Sequence, residues 1–225
     1  METWGYDEFR SLQEEIILSV LSGKDTLALM PTGGGKSLTF QVPALAMEGI
    51  CLVITPLIAL MQDQVDQLQR HKIKAMASHS GMKSFESDIA VNNGGYGGYT
   101  FLYVSPERLT TRLFQARVSD MNVNLLAVDE AHCISQWGYD FRPSYLEITA
   151  LREILGDVPV LALTATATPE VCEDIQERLG FKQKNLFQKS FNRENLDYLV
   201  INTEDKTREL LKLLSLMEGS GIVYT

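Results

Sequence analysis

Lys36 and Ser37 follow three successive glycines in the stretch Met-Pro-Thr-Gly-Gly-Gly-Lys-Ser at residues 30–37. An apolar run from Leu27 to Met30 precedes the glycines, and Leu38 and Phe40 open a helical pattern after them. A strand, a glycine loop and a helix in that order can grip a phosphate chain. Glycines let consecutive backbone N–H groups turn inward. The helix N-terminus adds unpaired donors and a partial positive charge. In this arrangement Lys36 reaches the β- and γ-phosphates of a nucleoside triphosphate, and the Ser37 hydroxyl holds Mg²⁺. The general pattern G-x-x-x-x-G-K-[ST] is met except at its first position, where Met30 stands. The alternative reading is a glycine-rich turn beside a surface lysine.

A second group is Asp129-Glu130, which ends the apolar run Leu-Leu-Ala-Val. Beside a phosphate loop, Asp129 would complete a Mg²⁺ shell and Glu130 would orient and deprotonate an attacking water. Alone, the pair reads equally as a cap at a strand-to-helix turn. Combined with Gly35-Lys36-Ser37 it points to nucleotide hydrolysis. A third group follows at once: Trp137, Tyr139, Phe141 and Arg142 crowd a short stretch beside Gly138 and Pro143. Such a loop either folds back onto the core or offers a stacking platform for bases, worth about 1–3 kcal/mol per base.

These residues need a scaffold that brings them together. Phe9, Leu12, Ile16, Ile17, Val20 and Leu21 have helical spacing and predict a helix over 7–21. Apolar runs predict strands at 26–30, 50–54, 74–78, 101–104, 124–128, 158–163, 197–201 and 221–225. Between them fall predicted helices: one kinked or ended by Pro43, then 57–71, 83–91, 106–112, 143–155, 169–179 and 206–217. Residues 92–98 read as a flexible glycine-rich loop. Alternating strands and helices predict an α/β fold with a parallel sheet and right-handed crossovers. Ligands bind such sheets at the carboxyl ends of the strands, which is where each chemical group above falls.

A length of 225 residues fits one large domain, or one plus part of another. Hydrophobic content of 45% with 22% charged residues is that of a soluble globular protein. No apolar run approaches the roughly 20 residues that span a bilayer, and the N-terminus has no signal-peptide pattern. Cys51, Cys133 and Cys172 are odd in number and widely spaced. They exclude a disulfide framework or zinc cluster and suit a reducing cytosol. The net charge of −9 opposes nonspecific nucleic-acid binding on average. Basic residues still bunch at 70–74, 108–117 and 182–193, each as a solvated surface or part of a local groove.

Residues 30–37, Asp-Glu-Ala-His (129–132) and Leu-Thr-Ala-Thr-Ala-Thr (163–168) resemble motifs I, II and III of a superfamily 2 helicase. More narrowly, the chain resembles the RecQ family of ATP-dependent DNA helicases from end to end. Residues 4–13, 54–65, 104–109 and 133–143 carry this resemblance, and Met30 is usual in that family. It implies a RecA-like P-loop NTPase fold, with a mainly parallel central sheet and helices on both faces. It implies ATP held by Thr32, Gly33, Gly34, Gly35, Lys36 and Ser37, and Mg²⁺ held by Ser37 and Asp129. Lys36, Asp129 and Glu130 become catalytic, and Tyr6, Arg10 and Gln13 form the adenine pocket. A ring and a guanidinium can sandwich a base while a carboxamide pairs with its edge. By themselves Tyr6 and Arg10 read as helix surface.

The same resemblance places Thr55, Pro56 and Ser105 along a single-stranded DNA backbone, where hydroxyls and helix N-termini suit phosphates. Thr164 and Thr166 would link the nucleotide to the DNA side. His132, Trp137, Phe141 and Arg142 would sense single-stranded DNA, and Tyr139 stands where the family pattern has a histidine. Residues 1–193 are expected to form the first RecA-like helicase domain, and 194–225 a linker and the truncated start of the second. The family needs both, since an arginine finger on the second is worth roughly 10³–10⁵ in rate. The chain alone is therefore expected to bind nucleotide, hydrolyse it slowly and unwind nothing. The implied partners are single-stranded and partly duplex DNA, with no membrane, in a monomer of the bacterial cytoplasm. The implied activity is 3′-to-5′ translocation in repair and recombination. An RNA remodeller of the same superfamily and a nucleotide-binding regulatory module are the alternatives.

Overall fold

The computed structural model describes residues 4–5, 7–79, 81–82, 98–138, 140–188 and 196–224. The chain divides into two units, Met1–Phe191 and Asn192–Thr225. The first is built on seven strands: β1 (Thr26–Leu29), β2 (Ile50–Ile54), β3 (Ala75–Ser78), β4 (Phe101–Val104), β5 (Val123–Val128), β6 (Val160–Thr164) and β7 (Leu186–Gln188). They form one sheet in the order β3-β4-β2-β5-β6-β1-β7, and every pairing is parallel.

Strands buried on both faces must be apolar throughout, and every residue of β1, β2 and β4 is buried. Alternation then sends successive side chains to opposite faces. On one face Ala28, Cys51, Val53, Phe101 and Tyr103 pack with Ile16 and Val20 of α1 (Gln13–Leu21), Phe40 of α2 (Lys36–Ala46), and Met61 and Val65 of α3 (Ile58–Arg70). On the other, Leu27, Leu52, Leu126 and Val128 pack with Phe114 of α4 (Arg112–Val118), Ile148 and Leu151 of α5 (Glu147–Leu155), and Val171 and Ile175 of α6 (Pro169–Arg178). The sheet is thus covered by helices on both faces, as expected. Among the described residues no helix is long and apolar enough to cross a membrane.

The amino ends of the strands are tied by one buried carboxylate. Asp25 accepts from the Arg152 guanidinium at 2.8 Å on each oxygen, and from the backbone N–H groups of Val160 at 3.0 Å and Lys182 at 3.2 Å. Asn185 Nδ2 adds bonds to the Asp25 carbonyl at 2.8 Å and the Ser19 hydroxyl at 2.9 Å. The turn before β1, α5, the start of β6 and the segment before β7 are thereby fastened at one point.

Several expected elements differ. The helix expected over 7–21 starts only at Gln13, because the Gln13 side chain accepts from Arg10 N–H at 2.8 Å and Leu12 is left-handed. The helix expected after Pro106 is a single 3₁₀ turn, Pro106–Arg108, and α4 starts separately under the Thr111 cap. A 3₁₀ turn, Pro143–Leu146, likewise precedes α5. The helix expected at 83–91 lies outside the described residues. The strands expected at 197–201 and 221–225 do not form within the described residues. Their alternating side chains are largely exposed, and a strand without a pairing partner leaves its backbone to water. That second unit contains α7 (Lys206–Leu216), which buries none of its residues.

Candidate nucleotide site

β1 runs into the glycine loop at its carboxyl end. Gly33 and Gly35 adopt φ of 76° and 77°, and Gly35 caps α2. A Cβ on Gly35 would lie 2.3 Å from Gln13 Nε2, and one on Gly34 would lie 2.8 Å from the Pro31 carbonyl. Both positions therefore demand glycine. Among the described residues no side chain caps α2, so its leading N–H groups remain open to an anion. Arg10, Gly33, Lys36, Ser37 and Gln41 line a cavity of about 440 Å³ here, within the usual range for small-molecule sites.

Gln13 reaches the glycine loop. Its side chain is only 1% exposed, and Nε2 donates to the Gly35 carbonyl at 3.0 Å. Its oxygen is committed to the Arg10 N–H. The carboxamide therefore braces the loop. Arg10 also touches the loop, donating to the Gly33 carbonyl at 2.8 Å. Tyr6 lies outside the described residues. Thr32 is exposed within the loop.

Asp129 and Glu130 follow β5. They are not on the strand next to β1, because β6 runs between the two. Burial and the adjacent Glu130 push the Asp129 carboxyl above its usual range, while the charge of Lys36 opposes them. Lys36 is thus close enough for Asp129 to feel it. Neither side chain forms an ion pair among the described residues. Glu130 is left-handed at φ 48°.

His132 joins the acids to the end of β6. Its Nδ1 lies 2.9 Å from the Thr164 hydroxyl and 3.4 Å from Glu130 Oε2. The Thr164 hydroxyl donates to the Thr166 carbonyl at 3.2 Å and accepts from its N–H at 3.3 Å. Burial lowers the His132 pKa from its usual value, with Glu130 opposing in part.

Thr55 and Ser105 follow β2 and β4 and are 2% and 1% exposed. The Thr55 hydroxyl acts to hold the Asp129 pKa down. Pro56 is half-buried and Leu57 is exposed beside it.

The loop after the acids stands out from the surface. Trp137 is 77% exposed, so it has not folded back onto the core. Phe141 is half-buried, and Tyr139 lies outside the described residues. Arg142 donates to Asp140 Oδ2 through Nε at 3.1 Å and a terminal nitrogen at 2.8 Å. His132, Cys133 and Asp140 offer ligand atoms within 4.8 Å of one another. Arg142 already occupies Asp140, and burial pushes the Cys133 thiol up to about 12, so the trio is poorly suited to a metal.

Sequence reasoning missed Tyr145. It is fully buried, and its hydroxyl donates to the Asp129 carbonyl at 2.9 Å. A tyrosine between Ser144 and Leu146 gives no signal in the sequence of such a bond.

A parallel sheet with a phosphate loop and an acid pair at its carboxyl edge defines a RecA-like P-loop domain. The chain matches the DEAD/DEAH box helicase family over residues 10–175 and belongs to it. It is 46% identical over 225 residues to the ATP-dependent DNA helicase RecQ of Bacillus subtilis, covering 99% of this chain and 38% of that protein. It is 42% identical over 222 residues to the ATP-dependent DNA helicase RecQ of Pasteurella multocida, covering 98% of this chain and 35% of that one. The chain thus spans well under half the length of these relatives. The fold is shared with the Pyrococcus furiosus Hef helicase domain at a TM-score of 0.60 and 23% identity, over 80% of this chain and 38% of that one.

Proposed function

We propose that residues 1–193 are the ATP-binding motor domain of a RecQ-like DNA helicase, with 194–225 leading into a second RecA-like domain. The whole protein would couple ATP hydrolysis to 3′-to-5′ movement on single-stranded DNA and to unwinding of partly duplex DNA. It would act as a monomer in a bacterial cytoplasm, in repair and recombination. The observation that carries this reading is geometric: the glycine loop that ends β1 and caps α2, and the acids that end β5, lie at the carboxyl edge of one parallel sheet.

Ser37 and Asp129 form an oxygen-only donor set, which suits Mg²⁺. Held by these two residues, Mg²⁺ would supply neutralisation of the phosphate charge. Lys36 offsets further phosphate charge, and the amides opening α2 hold the phosphate chain. Thr32, Gly33, Gly34 and Gly35 shape the loop around it. Glu130 orients a water and takes its proton. Arg10, whose guanidinium edge bonds the Gly33 carbonyl, keeps its flat face for stacking on the base, with Tyr6 as its expected counterpart, while Gln13 holds the loop from behind. Trp137, Phe141 and Arg142 meet DNA bases and phosphates, and His132, Thr164 and Thr166 connect them to Glu130. Pro56 and the helix start after it border the DNA path.

The test is phosphate release by the full-length protein with no nucleic acid, with single-stranded DNA and with single-stranded RNA. Strong stimulation by DNA alone is expected, and stimulation by RNA alone would favour the RNA remodeller. Loss of one stacked base costs about 1–3 kcal/mol. Trp137→Ala should therefore raise the DNA concentration for half-maximal stimulation by about 5- to 150-fold. An unchanged value would remove Trp137 from the DNA surface.

A further inference from the structure

The peptide group joining Asp129 to Glu130 is held at both ends. Its carbonyl oxygen accepts from the Tyr145 hydroxyl at 2.9 Å. Its N–H donates to the Asp129 carboxylate at 3.0 Å. The next backbone rotation is φ of Glu130, and it lies at 48°. A residue with a side chain avoids that region unless its surroundings enforce it. The orientation of this one peptide plane therefore sets the base from which the Glu130 side chain leaves the backbone.

Tyr145 is well placed to enforce it. It is 0% exposed and sits in the 3₁₀ turn Pro143–Leu146. The turn is anchored by Arg142 N–H to the Cys133 carbonyl at 2.8 Å and by Tyr145 N–H to the Arg142 carbonyl at 2.9 Å. Its ring belongs to the core cluster that includes Cys133, Ile134 and Ile148. A buried hydroxyl fixed this way has little freedom to move without its partner.

We infer that Tyr145 is a positioning residue for hydrolysis: its hydroxyl holds the Asp129–Glu130 peptide in the orientation that keeps Glu130 left-handed and aimed at the attacking water. This rests on the reading of Glu130 as the group that activates water. Tyr145→Phe keeps the ring and removes only the hydroxyl, so the core stays packed. In the full-length protein with single-stranded DNA, kcat for ATP should fall by about ten-fold. KM should stay within about two-fold, the pattern of a lost transition-state interaction. A crystal structure of the Tyr145→Phe protein should show Glu130 out of the left-handed region. Full kcat in Tyr145→Phe, or a rise in KM alone, would overturn the inference, provided that Glu130→Gln alone abolishes turnover. If Glu130→Gln keeps turnover, the reading of the site fails first, and the inference falls with it.

Discussion

Lys36→Ala should lower ATP turnover by on the order of 10³-fold while leaving the fold intact. The residue follows directly on the left-handed Gly35 and opens α2. Its charge is felt by Asp129, so it faces the space between the glycine loop and the acids. It forms no ion pair there among the described residues, so its removal leaves no buried partner stranded. The loss falls on phosphate charge as it develops during transfer, where a fixed cation acts in a partly dehydrated site. Lys36→Arg should not restore activity, because a planar fork replaces a compact ammonium. Phosphate release by the full-length protein measures the effect, and thermal melting checks the fold. Retained turnover would take Lys36 out of the mechanism.

Asp25→Ala should have the largest effect on stability. It would strand the Arg152 guanidinium, whose side chain is only 11% exposed, and leave the Val160 and Lys182 amides without their acceptor. Breaking a buried ion pair from one side costs about 3–5 kcal/mol. For a domain near 200 residues that corresponds to a loss of roughly 10–15 °C in Tm. Total stability is only about 5–15 kcal/mol, so part of the population unfolds at 37 °C. Asp157→Ala is the control: its ion pair with Lys182 lies in solvent, and Tm should barely move. Equal effects from both substitutions would deny Asp25 its role as the fastening point.

The phosphate loop and the acid pair were legible in the sequence because their chemistry is local. Three glycines before Lys-Ser specify a backbone path, and a carboxylate pair after a buried apolar run marks a strand end. Gln13 was not legible in its bracing role. Its bond to the Gly35 carbonyl exists only once α1 crosses behind the loop, a tertiary fact that motif spacing does not carry. The burial of Thr55 and Ser105 was not legible for a related reason. A hydroxyl at a strand end can face solvent or a neighbouring strand, and residue type alone does not choose. The three-residue β7 is too short for an apolar pattern to register. The expected strand at 197–201 had the pattern but found no ladder to join.

The central claim is that the glycine loop and the acid pair form one site for a triphosphate. A crystal structure of the protein with Mg²⁺ and a non-hydrolysable ATP analogue tests it most directly. The expected result places the terminal phosphates against Lys36 and the amides of α2, with the cation between Ser37 and Asp129 and Glu130 facing the γ-phosphate. Phosphates bound elsewhere, or a loop that stays unoccupied with nucleotide in excess, would contradict it.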